Sequence, residues 1–326
     1  MRLMRLLPCV AALAALVAVA SPLSATKGDV WRPLMERLVE DGLPGDYVER
    51  LFARSEVSFQ PRVMARKMIS LLRIKTAEPP PQPVAPPPPS RAGEAPREPA
   101  KPAPPPRPKV YERYMQPALL ANAQRFMEDH TDVLQAAENE RGVEREVLVA
   151  IMLVETRLGS YLGKGNAFVN LASMALAEDF LLVQAYLPMN SLTPDLRQWL
   201  VRRTLQKANW AYEELLAFIS FAMASGLDPL NVPSSPYGAI GLCQFMPSNA
   251  VRFGVDGDGD GTVDLFSPAD ALHSIANYLA FHGWRPGLSE ERQERLIMHY
   301  NRDSRYARTV VVIAQHLAKA RAARQG

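Results

Sequence analysis

The most continuous apolar stretch of the chain runs from Val147 to Leu158, and its apolar residues cover nearly every face of a helix. This pattern predicts a central helix that is packed on all sides. Amphipathic stretches with helical spacing accompany it at 119–138, 167–180, 193–226, 271–282 and 307–323. No stretch shows a convincing alternation of apolar and polar residues. The predicted fold class is therefore mainly α.

Two further regions precede this larger domain, which is predicted to span residues 109–326. Residues 26–78 are predicted to form a small helical unit, because Trp31, Leu34 and later apolar residues recur at helical spacing. Residues 79–108 contain 15 prolines in 30 positions. Proline cannot donate to a helix or a sheet, so an extended linker is expected, with a reach of roughly 90 Å. Binding to a partner with an aromatic groove is the alternative role.

Residues 1–25 have the order of features that is typical of a secretory signal peptide. Arg2 and Arg5 supply the basic start, and an apolar stretch from Leu6 to Val19 follows, with small residues after it for cleavage. The stretch is shorter than the about 20 residues of a membrane span. Cys9 lies too early to be a lipoprotein cysteine. Export is therefore predicted, and the periplasm is the expected location in a double-membraned bacterium.

The composition describes an ordinary soluble globular protein, with 48% hydrophobic and 22% charged residues. The formal net charge of +3 gives no overall electrostatic case for binding to nucleic acid or to a membrane surface. Cys243 is the one thiol outside the predicted signal, so no intramolecular disulfide is predicted. A monomer without an organic cofactor is expected.

A run of basic residues lies in the predicted N-terminal unit, at Arg62, Arg66, Lys67, Arg73 and Lys75. Such a run usually forms a solvated helix face. Contact with an anionic polymer of the cell wall is the alternative. The sequence alone leaves both open.

Glu155 is the only carboxyl group in the central apolar stretch. Burial disfavours its ionised form, and a helix that stops near Gly159 places it at the negative end of the helix dipole. Both effects raise the pKa, and a general acid has to be protonated at neutral pH. Glu155 is therefore a candidate catalytic acid. The alternative is a partly exposed side chain that forms an ion pair with Arg157.

Residues 256–264 have the ligand spacing of an EF-hand loop. Aspartates occupy the first, third, fifth and ninth positions of the loop, at Asp256, Asp258, Asp260 and Asp264. A glycine occupies the sixth position, and Thr262 would offer its backbone carbonyl at the seventh. Ser267 stands where an EF-hand has its twelfth-position glutamate, which argues against a calcium sensor and for a fixed structural Ca²⁺. Ser267 is also predicted to cap the helix that follows. Asp270, in the first turn of that helix, is a further candidate ligand. The alternative is an acidic loop in solvent.

Five stretches stand out by their order and rough spacing: Val154–Gly159, Tyr237–Ser248, Asp256–Leu265, Ser274–Trp284 and Tyr300-Asn301. Together they resemble the lytic murein transglycosylase B family. The resemblance covers about Val110 to Leu317 and, weakly, residues 29–74. It implies a lysozyme-like helical catalytic domain with an EF-hand-like metal loop.

The resemblance also implies an activity. Family members are exported enzymes that cleave the MurNAc–GlcNAc β-1,4 bond of peptidoglycan without water and leave a 1,6-anhydromuramoyl end. Glu155 would be the single catalytic acid and base. Most glycosidases need a second carboxylate to supply or activate the nucleophile. An enzyme in which the 6-hydroxyl of the sugar attacks needs only one.

Matching positions imply the remaining site residues. The glycan cleft would be lined by Ser235, Gln244, Tyr278, Tyr300, Asn301, Tyr306 and, across an alignment gap, Tyr111. Ser235 and Asn301 would hold substrate oxygens near Glu155, and the tyrosines would stack on sugar rings. The family's calcium ligands match Asp256, Asp258, Asp260, the Thr262 carbonyl and Asp270, with Asp264 as a further candidate.

The expected partners are peptidoglycan glycan strands and cell-wall synthesis or remodelling proteins, without nucleic acid. Residues 167–233 are longer than the family's usual connection, and the additional helical segment is expected to reshape one wall of the cleft. Two other functions remain open from the sequence. One is a non-catalytic peptidoglycan-binding or scaffold protein, and the other is a lysozyme-type hydrolase.

Overall fold

The computed structural model describes residues 30–77 and 107–325, so the predicted signal peptide and nearly all of the proline-rich linker lie outside the described residues. The first described segment forms three helices, α1 (Arg32–Glu40), α2 (Gly45–Ala53) and α3 (Pro61–Ala77). After a short 3-10 turn, the second segment begins its α-helices with α4 (Pro117–Asp129), α5 (Thr131–Arg141), α6 (Arg145–Thr156) and α7 (Ala167–Ala175).

The remaining helices complete the larger part of the chain. They are α8 (Leu181–Gln184), α9 (Pro194–Ala224), α10 (Pro247–Phe253), α11 (Pro268–Phe281), α12 (Glu290–Tyr300) and α13 (Ser304–Gln325). Two of these helices begin at a side-chain cap. The Thr193 side chain accepts from the backbone N–H of Leu196 at the start of α9, and Ser267 caps α11 through the N–H of Ala269.

The strands of the described segments are very short. Strand β1 (Gly165–Asn166) pairs antiparallel with β2 (Pro233–Ser234), with Gly165 opposite Ser234. Two isolated bridges extend this pairing from Ser234 through Ile240 to Phe245. The prediction of a mainly α fold is confirmed.

Helix α6 lies at the centre of the molecule, as the apolar pattern predicts. Every residue from Val147 to Val154 is buried. Helices α4, α5, α11 and α13 pack around it. The indole N–H of Trp284, just after α11, donates to the Glu144 carboxylate at 2.7 Å and fixes the beginning of α6. Helix α6 is thus held by the surrounding helices along its length and by this hydrogen bond at its beginning.

The first three helices share apolar cores with the larger part of the chain. The Trp31 and Phe52 rings are 5.3 Å apart, and Phe52 lies 5.1 Å from Phe168 of α7. A second core joins Met64 and Met68 of α3 to residues of α7–α9. The additional segment within residues 167–233 therefore packs partly against α3.

The structure corrects one predicted helix. The stretch 119–138 forms two helices, because His130 leaves helical geometry (φ −118°, ψ 30°). The Thr131 hydroxyl donates to the Met127 carbonyl at 3.1 Å and satisfies an acceptor that a continuous helix would have used. Within the described residues, no helix is both long and apolar enough to cross a membrane.

Candidate active site

Glu155 lies in the last turn of α6, one residue before the helix ends, and its side chain is part-buried. The predicted alternative, an ion pair with Arg157, does not form, because Arg157 is exposed and takes part in none of the ion pairs of the described residues. The hydroxyl of Tyr306, in the first turn of α13, instead donates to Oε1 of Glu155 at 2.7 Å. Tyr306 itself is only 4% exposed.

Two opposing effects determine the protonation of Glu155. Burial raises the pKa of its carboxyl group, and the hydrogen bond from Tyr306 lowers it; burial dominates and the pKa is about 7. No carboxylate of the described residues contributes to this shift. Glu155 is thus a single acid that exchanges its proton near neutral pH, as a group that acts both as acid and as base requires.

The chain turns sharply after Glu155. Arg157, Leu158 and Gly159 all have positive φ (51°, 59° and 87°), so α6 ends earlier than Gly159 alone predicts. Thr156 stabilises this turn: its hydroxyl donates to the Leu242 carbonyl at 3.0 Å and accepts from the Gly159 N–H at 3.1 Å. Sequence reasoning missed Thr156, although a threonine at the buried end of an apolar helix is a signal for such a contact.

Ser235 lies in a tight turn beside β2. Its hydroxyl accepts from the N–H groups of Tyr237 (3.3 Å) and Ala239 (3.0 Å), and its side chain is part-buried. Gly163 allows this turn to approach. A Cβ atom there would lie 2.0 Å from the Ser234 carbonyl oxygen, and φ is +97°. The hydroxyl hydrogen of Ser235 remains available to a ligand.

Gln244 and Tyr300 both donate hydrogen bonds to the backbone of the loop at residues 241–244. Gln244 has a positive φ of 49°, and its side-chain amide donates to the Gly241 carbonyl at 3.0 Å. The Tyr300 hydroxyl donates to the carbonyl of buried Cys243. Both contacts stabilise the backbone of residues 241–244, to which Thr156 also binds.

Tyr278 packs beside Tyr300 with a ring distance of 5.2 Å. Its hydroxyl donates to the His299 carbonyl at 2.7 Å, and the residue is only 6% exposed. Tyr278 and Tyr306 therefore present little ring surface to a sugar. Their burial favours positioning of neighbouring groups over the stacking that the resemblance implies, whereas Tyr300 is part-buried.

Asn301 and Tyr111 lie close to the beginning of α13. Asn301 follows α12 in an extended conformation and is exposed. The Tyr111 hydroxyl donates to the Asp303 carboxylate, which also accepts from the backbone N–H of Tyr306 at 3.2 Å. Tyr111 thus holds the turn that presents Tyr306. Of the predicted cleft residues, Tyr306 directly contacts Glu155.

The predicted metal loop brings three carboxylates together. Asp256, Asp258 and Asp260 each place an oxygen within 4.8 Å of the others. Asp256 also accepts from the N–H groups of Gly259 and Gly261, which lower the pKa of its carboxyl group. The donors are all oxygens, as Ca²⁺ and Mg²⁺ prefer. The arrangement fits a hard divalent cation.

The other three candidate ligands lie outside this group. Asp270 is 2% exposed, and its two oxygens accept from the N–H groups of Gly257 (2.8 Å) and Asp264 (2.6 Å). Asp264 accepts from the N–H of Phe266. The Thr262 hydroxyl donates to Asp260 at 2.7 Å. Asp270 therefore binds the backbone at both ends of the loop, at Gly257 and at Asp264.

Comparison with known proteins finds a relative of this chain. Membrane-bound lytic murein transglycosylase B of Escherichia coli (strain K12) is 31% identical over 176 residues, which are 54% of this chain and 42% of that protein. The chain thus matches only about two fifths of the length of this relative.

Solved structures share the fold. The Escherichia coli lytic transglycosylase Slt35 in complex with calcium has a TM-score of 0.62 at 20% identity, over 90% of this chain and 94% of that one. SltB3 from Pseudomonas aeruginosa, in complex with NAG-anhNAM-pentapeptide, has a TM-score of 0.61 at 19% identity, over 88% and 78%. The family model described as the transglycosylase SLT domain (SLT_2) matches residues 28–294. The chain belongs to this transglycosylase SLT domain family.

Proposed function

We propose that this protein is a lytic transglycosylase that cleaves the MurNAc–GlcNAc β-1,4 bond of peptidoglycan and leaves 1,6-anhydromuramoyl ends. The observation that carries the proposal is the site of Glu155, a single carboxyl group with a pKa of about 7 and a tyrosine donor at 2.7 Å. Family membership and the relative named a lytic murein transglycosylase support the same activity.

In the proposed reaction, protonated Glu155 donates its proton to the glycosidic oxygen as the bond from that oxygen to C1 of MurNAc breaks. The positive charge that develops at C1 is then opposite a carboxylate, which the Tyr306 hydroxyl stabilises. Glu155 next takes the proton of the MurNAc 6-hydroxyl while that oxygen bonds to C1. The carboxyl group is protonated again and no water is consumed.

The predicted cleft residues have two kinds of role in this proposal. Ser235 and Asn301 have polar groups that remain available to hold substrate oxygens. Gln244, Tyr278, Tyr300 and Tyr111 support the loops that surround Glu155. We also propose that residues 26–78 are an N-terminal helical unit, that residues 79–108 are a linker, and that residues 109–326 are the catalytic domain.

We also propose that the loop at residues 256–264 binds a structural Ca²⁺ through Asp256, Asp258 and Asp260. The ion would supply positive charge among three carboxylates that repel one another. The calcium complex of Slt35 supports this assignment. Asp270 would hold the loop in its binding conformation through the N–H groups of Gly257 and Asp264.

The proposed place of action is the periplasm, after export through the predicted signal peptide, with peptidoglycan strands as substrate. The relative from Escherichia coli is named a membrane-bound lytic murein transglycosylase, and SltB3 is in complex with a peptidoglycan fragment. Both support an encounter with the cell wall.

Mass spectrometry of digested sacculi tests the activity. Products whose muramoyl ends lack one water are expected from the wild type, and Glu155→Gln is expected to release none while its circular-dichroism spectrum stays the same. Reducing ends that retain this water would favour a lysozyme-type hydrolase. Binding without any released product would favour a scaffold protein.

A further inference from the structure

Helices α3 and α9 pack against each other and bring together many positive charges. Helix α3 carries five basic residues and no acidic one, and residues 196–212 of α9 carry four basic residues and no acidic one. The basic run of α3 is therefore part of a larger surface. Formal net charge alone does not indicate such a surface, because acidic residues elsewhere balance it.

The centre of this surface lies between the two helices. We call it the α3–α9 seam and define it by Lys67 and Ile74 of α3 with Trp199, Arg203 and Lys207 of α9. The three α9 residues are spaced by four, so they occupy one flank of the helix. Ile74, Trp199 and Arg203 line a groove of about 290 Å³. Both cationic and apolar groups thus contribute to the seam.

The cations of the seam form no ion pair within the described residues. None of the ion pairs there includes Lys67, Arg203 or Lys207. Burial lowers the pKa of both lysines, and the neighbouring cations lower it further. The Glu214 carboxylate of α9 acts in the opposite direction and raises the pKa of Lys207, but it is buried and already accepts two hydrogen bonds from Ser248. Placing positive groups together without a counterion is unfavourable unless an anion binds.

The seam reaches the turn that contains Ser235, one of the predicted cleft residues. The Lys67 ammonium group lies 4.1 Å from the centre of the Tyr237 ring. The Tyr237 N–H in turn donates to the hydroxyl of Ser235. A polymer bound beside Ser235 would therefore have its neighbouring groups at the seam.

We infer that the α3–α9 seam binds the carboxylates of the peptide stems on the peptidoglycan strand. This inference rests on the proposed function. The strand in the cleft would be neutral along most of its sugar backbone, whereas its stems carry carboxylates at intervals. Lys67, Arg203 and Lys207 would pair with those carboxylates, and the apolar groups of the groove would contact the aliphatic parts of the stem.

Binding measurements with matched strands test the inference. The Glu155→Gln protein is used so that strands remain intact, and its affinity is measured for soluble glycan strands with peptide stems and for strands of the same length from which an amidase has removed them. Tighter binding to stem-bearing strands by at least about tenfold is expected, as for one or more charge-assisted contacts. Adding Lys67→Gln and Lys207→Gln to this protein is expected to abolish the preference for stem-bearing strands.

Arg73→Gln provides the matched control, because Arg73 is an exposed cation of α3 that lies outside the seam. This variant is expected to keep the preference for stem-bearing strands. The inference is overturned if the lysine variants retain that preference, or if they weaken binding to both kinds of strand equally. It is also overturned if they lose only binding to phosphatidylglycerol vesicles, since the seam would then contact a membrane.

The assay separates this inference from the proposed function. A wild-type protein that prefers stem-bearing strands through the seam but releases no anhydro product would contradict the proposed function alone. A protein that releases anhydro products but shows no preference for stem-bearing strands would contradict only the inference about the seam.

Discussion

The hydroxyl of Tyr306 lies 2.7 Å from Oε1 of Glu155, although 151 positions separate the two residues in the chain. Burial favours the protonated glutamate, whereas this hydrogen bond favours the ionised one. The pair therefore determines where on the pH scale Glu155 exchanges its proton. Since the proposed reaction needs both protonation states in turn, neither effect alone would suit it.

Tyr306→Phe is expected to raise the pKa of Glu155 above its value of about 7, because the donor that stabilises the carboxylate is lost. If protonated Glu155 is the active form of the free enzyme, the alkaline limb of kcat/KM moves to higher pH. The maximal rate is expected to fall about 10- to 100-fold, as for the loss of one hydrogen bond to a charged group. Initial rates on soluble strands between pH 5 and pH 9 measure both effects.

Tyr161→Phe is the control for this change, since Tyr161 is 53% exposed and its hydroxyl does not contact Glu155. Its pH profile is expected to match that of the wild type. A Tyr306→Phe profile whose alkaline limb stays in place would show that the hydrogen bond does not affect the titration.

Glu155→Gln is expected to stabilise the protein at alkaline pH. The folded-state pKa of about 7 lies above the ordinary value of 4.5, so the contribution of Glu155 to the free energy of unfolding is greatest below pH 4.5 and decreases as pH rises to about 7. Above pH 7 the buried carboxylate lowers the free energy of unfolding by at most about 3 kcal/mol. Glutamine carries no charge, so Glu155→Gln is expected to have a higher free energy of unfolding than the wild type at pH 8 and an equal one at pH 4.

Urea denaturation of the wild type and of Glu155→Gln at both pH values measures the gain. The exposed Glu213→Gln is the control and is expected to leave the free energy of unfolding within about 0.5 kcal/mol at both. An equal gain for Glu155→Gln at pH 4 and pH 8 would contradict the raised pKa.

Asp258→Asn and Asp270→Ala are expected to affect the metal loop differently. Asp258 is exposed and belongs to the group of three carboxylates, so its change should weaken the rise in melting temperature that Ca²⁺ produces. Asp270 holds two backbone N–H groups, so its change should lower the free energy of unfolding by about 1–3 kcal/mol even without Ca²⁺. Thermal unfolding with and without chelator distinguishes the two. If Asp258→Asn destabilised the chelated protein as much, the loop would need no ion.

Gly163→Ala is expected to destabilise the packing of Gly163 against the turn at Ser234 and Ser235. A methyl group at Gly163 would collide with the Ser234 carbonyl oxygen, and the backbone would also be strained by its positive φ. Gly42→Ala is a matched control, because Gly42 has a φ of +100° but nothing within 4 Å of the added Cβ. Strain alone costs about 1–3 kcal/mol. Denaturation should show a loss for Gly163→Ala well above the loss for Gly42→Ala; equal losses would mean that the Ser234 turn moves aside.

Periodicity predicted the helices that bury a continuous apolar face, and α6 is the clearest case. The region of α12 was not assigned as a helix, because few of its residues are buried; Leu296 and Ile297 are the two. The end of α6 also differs from the prediction. Arg157 and Leu158 adopt left-handed conformations that are unusual for their residue types, in a turn that the distant contact between Thr156 and Leu242 stabilises.

The candidate site shows the same division between local and distant information. An isolated acid in an apolar helix was enough to single out Glu155, and the spacing of the aspartates indicated the group of three carboxylates. The hydrogen bond from Tyr306 to Glu155 depends on how α13 packs against α6, which no local pattern contains. Asp270 was predicted to be a possible ligand from its place in the first turn of α11, whereas its two acceptor bonds depend on the path of the loop.

The shared core of α1–α3 with α7 has a consequence for the integrity of the protein after chain cleavage. Trp31, Phe52 and Phe168 pack in one cluster, so residues 30–77 are held by side-chain contacts and not only by the peptide chain. A cut in the intervening proline-rich stretch would leave two polypeptides that remain associated as one body. Two separately produced fragments should accordingly reconstitute the fold by complementation, whereas the larger fragment alone would expose an apolar face to water.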